Sequence, residues 1–167
     1  TPDGVAHGVG EVTSGTTTGK IGWKSFELQW FLNDRNASPE TAPYGAYFGN
    51  PNLVVFDRRA FVELRFEPTL SPTTHLFTRL FWDHSQYNGS YPLDGESEAF
   101  FDEDYTSHGV GFEARVIHRF SDQLELQIGG LANYILMNEL TNQDRGADEL
   151  TLEENHPSFD FALYAAA

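Results

Sequence analysis

The stretch "AFVELRFE", residues 60–67, decides the fold. Val62, Leu64 and Phe66 alternate with Glu63, Arg65 and Glu67. A helix turns 100° per residue and would scatter both sets around its circumference, whereas a strand sends successive side chains to opposite faces. The segment therefore reads as a strand with one apolar and one ionised face. The same rule holds outward along the chain. In "SFELQWFLND" (25–34), Phe26, Leu28, Trp30 and Leu32 oppose Glu27, Gln29 and Asn33, with Phe31 the exception. In "HLFTRLFWD" (75–83), Leu76, Leu80 and Trp82 oppose Arg79 and Asp83. In "VGFEARVIHRF" (110–120), Val110, Phe112, Val116 and Phe120 oppose Glu113, Arg115 and Arg119. In "LELQIGGLANY" (124–134), Leu124, Leu126, Ile128 and Tyr134 oppose Glu125, Gln127 and Asn133.

Weaker strands flank these: a Thr- and Gly-rich "TSGTTTGKIGW" (13–23) and "SFDFALYA" (158–165), with Phe159, Phe161 and Leu163 on one face. The expected fold is all-β, an antiparallel up-and-down meander of about seven strands. Tight turns are expected at Gly22 to Ser25, at "LSPTT" (70–74) and at "SDQ" (121–123). Between them lie three long segments, Asn33 to Asp57, His84 to Ser107 and Met137 to Pro157, read as loops. Short turns alternating with long loops are the pattern of an outer-membrane barrel. A soluble sandwich also alternates, with its apolar face turned inward. Mixed Glu, Arg and Gln on the polar faces suit a wet lumen. Trp23, Trp30, Trp82, Tyr87 and Tyr134 would form an aromatic girdle.

Composition narrows the function classes. The chain has 167 residues, one domain's worth, with 25 acidic and 10 basic side chains and a formal charge of -15. That argues against nucleic acid and against docking on an anionic lipid surface, both of which need clustered cations. There is no cysteine, so disulfides and thiolate metal sites are excluded. No apolar run reaches the ~18 residues of a membrane-spanning helix, and "TPDGVAHGVG" (1–10) is no signal peptide. The mean hydropathy of -0.42 is compatible with a membrane barrel, in which only alternate residues meet lipid. Aromatics at 14% favour strands.

No catalytic machinery is expected. His7, His75, His84, His108, His118 and His156 include no H-x-x-x-H or H-E-x-x-H pair, and no two lie two residues apart on one strand. No metal site and no cofactor are therefore predicted. In "DHS" (83–85), a strand would point Asp83 and Ser85 away from His84, so no triad converges. The acidic segments "DGESEAFFDEDY" (94–105) and "DRGADELTLEEN" (144–155) lack the spacing of an EF-hand and read as solvated loops. They hold Asp94, Glu96, Glu98, Asp102, Glu103 and Asp104, and Asp144, Asp148, Glu149, Glu153 and Glu154. No nucleophile elbow, P-loop or dinucleotide fingerprint occurs, so the chain is not expected to be an enzyme.

Strands and loops together resemble the barrel of TonB-dependent outer-membrane receptors. The resemblance rests on "APYGAYFGNPNLVVFDRRAFVELRFEP" (42–68). Pro39, Tyr44, Gly45, Phe48, Asn50 and Pro51 match the family's loop. Asp57, Arg58, Arg59, Ala60, Phe61, Glu63, Arg65, Phe66 and Glu67 match the strand that follows. "LSPTTHLFTRLFWDHSQYNGSYP" (70–92) looks like the next hairpin. The resemblance implies a receptor in a Gram-negative outer membrane that takes up a scarce ligand, such as a ferric siderophore or cobalamin. It also implies surrounding lipid, a plug domain inside the barrel and a TonB complex that drives uptake. Tyr44, Tyr47, Phe48 and Asn50 would lie in an extracellular loop and meet the ligand. Glu27, Glu63, Arg65, Glu67, Arg79, Glu113, Arg115 and Arg119 would face the lumen and the plug. No plug domain is visible within residues 1–167, and the family barrel has about 22 strands, so the chain is expected to be a single segment of a larger barrel. The alternatives are a small eight-stranded outer-membrane barrel with a structural or adhesive role, and a soluble ligand-binding β-barrel.

Overall fold

The computed structural model describes residues 8–93, 99–145 and 151–167. The chain forms one antiparallel sheet. Its strands are β1 (Val12–Trp23), β2 (Phe26–Ala37), β3 (Val54–Phe66), β4 (Thr69–Ser71), β5 (Thr74–Pro92), β6 (Phe100–Ser121), β7 (Leu124–Asp144), β8 (Leu152–Asn155) and β9 (Ser158–Ala166). The order is β1-β2-β3-β5-β6-β7-β8; β4 adds a short pairing to β5, and β9 pairs with β7 beside β8. The nine strands thus make seven ribbons of an up-and-down meander. Among the described residues no pairing joins β1 to β8 or β9, so the sheet is open.

The tight turns fall where alternation stops. Lys24 and Ser25 link β1 to β2, and Lys24 has φ 53°. Pro72 and Thr73 link β4 to β5, and Asp122 and Gln123 link β6 to β7. The three long segments are shorter as loops than their composition indicates. His84 to Ser107 is largely ladder, because β5 runs to Pro92 and β6 starts at Phe100. β7 likewise continues to Asp144, with β8 against its far end. Beyond residue 84 the apolar face gives way to Gln86, Asn88 and Ser90, while the other face mixes Ser85 and Gly89 with Tyr87 and Tyr91, so the apolar-polar alternation vanishes while backbone pairing persists.

The register explains the pattern. One ladder row on the apolar face reads Trp30–Val62–Trp82–Val110–Tyr134–Phe159. A neighbouring row toward the tight turns reads Leu28–Leu64–Leu80–Phe112–Ala132–Phe161. Toward the long loops the face turns polar, at Asp34–Arg58–Gln86–Thr106–Glu139. Tyr87 does not belong to this girdle: it sits on the opposite face and bonds Tyr91. A bulge in β7 leaves Leu136 as an extra residue between Ile135, opposite Gly109, and Met137, opposite His108. A side chain on Gly109 would come within 2.9 Å of the Tyr134 carbonyl, so glycine permits this close approach.

Burial separates the two faces. Large apolar side chains on the outer face are exposed, Leu80 at 55% and Phe112 at 50%. On the other face Glu63 is only 5% exposed, and its neighbours are half-buried. The sheet therefore curls around its charged side. The one buried apolar cluster among the described residues lies at the loop end: Ala46, Leu53, Val55 and Tyr91, with Tyr87 and Phe101 against it.

Candidate functional site on the inner face and the loop above it

The inner face carries a chain of alternating charge across the sheet. In one ladder row Glu27, Arg65, Arg79 and Glu113 stand side by side on β2, β3, β5 and β6. Arg65 and Arg79 are directly opposed, an arrangement that repels by itself. Glu63, one step along β3, resolves it. Its carboxylate accepts from Arg65, from Arg79 Nη1 at 3.0 Å and from Gln29 Nε2 at 2.6 Å. Arg79 Nε also donates to Glu113 at 2.7 Å, and Tyr164 of β9 donates its hydroxyl to Glu113 at 2.5 Å. On the other side Arg65 lies 3.6 Å from Glu27, which pairs with Lys20 of β1 at 3.3 Å. The path Lys20–Glu27–Arg65–Glu63–Arg79–Glu113–Tyr164 thus crosses the sheet from edge to edge.

Five of the predicted lumen residues, Glu27, Glu63, Arg65, Arg79 and Glu113, come together in this network. Arg115 stands beside it, its guanidinium 4.1 Å from the centre of the Phe77 ring, and its buried Nε has no partner among the described residues. Glu67 and Arg119 stay at the turn end. Glu67 donates its backbone N–H to Ser25 at 2.8 Å, and Arg119 makes an exposed contact with Glu125 at 3.8 Å. Above the network, on the loop side, is a cleft of about 450 Å³ lined by Phe31, Phe61, Arg59, Asp83, Ser85 and Asn133. Phe31, the exception in the alternation, stacks there on Phe61 at 5.9 Å. As expected for a strand, Asp83 and His84 point to opposite faces, as their ladder partners Phe61 and Ala60 do.

The loop of residues 38–53 is tied down at both ends of its turn. Tyr47 donates its N–H to the Pro92 carbonyl at 2.7 Å, and Leu53 and Tyr91 are each 1% exposed beneath it. Tyr44, at φ 56°, meets Tyr91 edge-on at 5.1 Å. Tyr44, Tyr47 and Phe48 remain largely exposed, a fixed aromatic surface at the outer end. Asn50 Oδ1 accepts from the Asn52 backbone N–H at 2.9 Å. Burial raises the ionisation of the Tyr87 and Tyr91 phenols above the ordinary range, and their mutual hydrogen bond adds to the rise at Tyr91.

The acidic segments are partly spent on structure. Asp102 accepts from Ser90 at 2.6 Å and from Arg145 at 2.9 Å, and Asp104 accepts from Asn88. His7, Asp94, Glu96, Glu98, Asp148 and Glu149 lie outside the described residues. Among the described residues there is no group of three or more His, Asp or Glu side chains placed for a metal ion, and no helix is long and apolar enough to cross a membrane.

Reading along single strands missed three groupings. Asp34 and Arg58 form a doubly bonded pair at 2.6 and 2.7 Å on the outer face. Tyr164 reaches Glu113 from another strand. His84 and His108 stand directly opposite each other. All three are cross-strand contacts, and only the centre of each hairpin, which composition does not mark, would have disclosed them. No protein-family model matches the chain, and neither does any curated protein or solved structure.

Proposed function

We propose that this chain is a wall segment of a TonB-dependent transport barrel in a Gram-negative outer membrane. One observation carries the proposal: the exposed face is apolar and the enclosed face is charged and paired, the reverse of a water-soluble β domain. Monomeric soluble proteins rarely expose apolar patches beyond a few hundred Å², and here the apolar rows cross the whole sheet. On β7 the apolar stretch runs from Leu124 to Tyr134, the length of a tilted spanning strand of about 9–11 residues. Trp30, Trp82 and Tyr134 line its outer border, where indole and phenol rings favour the interface. In this reading the free edges of β1 and β9 pair with further strands, because unpaired backbone in lipid costs several kcal/mol per group. The inner network faces a plug domain or the water-filled path. The Tyr44, Tyr47 and Phe48 surface meets a small ligand outside, a ferric siderophore or cobalamin being the class expected.

The test is to express the complete reading frame in a Gram-negative host and follow three readouts. These are recovery in the outer-membrane fraction, heat-modifiable migration on a denaturing gel, and growth on ferric siderophores or cobalamin with and without a functional TonB complex. Outer-membrane recovery with TonB-dependent growth supports the proposal. A product soluble without detergent overturns it.

A further inference from the structure

We propose that the outer face carries a transition-metal site made by His84 and His108, with Met137 as a third, weaker ligand. The inference stands on strand register and is independent of the transport reading. His84 on β5 is the ladder partner of His108 on β6, and His108 is the partner of Met137 on β7. The two imidazole centres are 6.2 Å apart with their planes at 38°. A ligating nitrogen lies about 2.0–2.1 Å from its ion, so two rings sharing one ion have centres roughly 4.5–6.5 Å apart. The pair is within that reach. The Trp82 ring lies parallel to His84, at 2° and 5.7 Å, which holds one imidazole in place before any metal arrives. The bulge at Leu136 is what puts Met137, the only methionine in the chain, into this row. Two imidazoles with a weak thioether select a soft or borderline ion, and copper leads the divalent series for nitrogen ligands. The hollow in front of the pair is lined by Trp30, Ala60, Val62 and Trp82 and by Arg58, whose charge is matched by its doubly bonded partner Asp34, and it leaves room for the ion's remaining ligands.

The experiment titrates Cu²⁺, with Zn²⁺ in parallel, into the full-length protein purified in detergent. It records the electron paramagnetic resonance spectrum and the tryptophan fluorescence. The expected result is one tight Cu²⁺ per chain, nitrogen hyperfine structure from two imidazoles, and quenching by the ion beside Trp82. His84→Ala and His108→Ala each lower the affinity at least tenfold and lose the two-nitrogen pattern. Met137→Leu keeps the pattern with affinity lowered a few-fold. Trp82→Phe loses most of the quenching and, by loosening the His84 ring, lowers the affinity a few-fold, while unchanged heat-modifiable migration of the histidine variants guards against a folding artefact. Unchanged Cu²⁺ affinity in the double histidine variant overturns the site. So does Zn²⁺ binding as tightly as Cu²⁺ with no nitrogen signal from the copper form.

Discussion

Glu63 shows how much can depend on one side chain. It is 5% exposed and, among the described residues, is the one carboxylate that bonds both of the directly opposed arginines, Arg65 and Arg79. Losing one partner of a fully buried ion pair costs about 3–5 kcal/mol. Here both arginines stay about a third exposed, so Glu63→Ala is expected to cost about 2–3 kcal/mol. Glu63→Gln should cost less, since it still accepts hydrogen bonds. Urea titration in detergent, followed by tryptophan fluorescence, measures both; equal stability of Glu63→Ala and wild type would show that the network is ornamental. Gly111 is a second sensitive position. The Phe81 ring lies flat over it, where any Cβ would overlap the ring. Gly111→Ala should displace Phe81, also 5.0 Å from the Arg79 guanidinium, and destabilise by about 1–3 kcal/mol, read in the same titration. Neither effect is visible in composition. Alternation placed Glu63 on the ionised face, but neither what stands across from it nor the Phe81 ring over Gly111 could be read from single strands.

At the scale of elements, the outer ends of β5, β6 and β7 and the loop of residues 38–53 form a unit of their own. Leu53→Ala empties the centre of the Leu53–Tyr91 cluster, at about 2–3 kcal/mol. Because that cluster is remote from the inner network, the expected effect is local: faster amide exchange and proteolysis at residues 38–53, with the unfolding of the remaining strands unmoved. A uniform loss of protection across the sheet would contradict this division. This end is also where sequence reading was weakest. Alternating faces located five strands well, because each had one face in water or lipid and one enclosed. Past Trp82 and Tyr134 the formerly apolar face turns polar and the other face carries the Tyr87 and Tyr91 rings among Ser and Gly, so ladder that is fully paired looks like loop. The aromatic loop itself was legible from its Gly and Pro pattern, while the bond from the Asn52 backbone to Asn50 was not.

The whole molecule is a curled sheet with its apolar side out. If lipid covers that side, the cost of a charge on it depends on depth. Phe112→Arg, in the middle of the apolar band, should cost about 2–4 kcal/mol, and Thr106→Arg, in the polar row, about 0–1 kcal/mol. Folding into vesicles of defined thickness measures both; a Phe112→Arg protein that folds like wild type would remove lipid from that face. The bulge in β7 bears on how such a strand can change length over evolutionary time. Outward residues carry even numbers up to Tyr134 and odd numbers from Met137 onward. Losing Leu136 would straighten the strand and leave every other side chain on its own side. Losing a single residue from the regular part of β5 or β6 would turn inside out all that follows it. Insertions and deletions in these strands should therefore come in pairs, except at Leu136, where one residue is held in reserve.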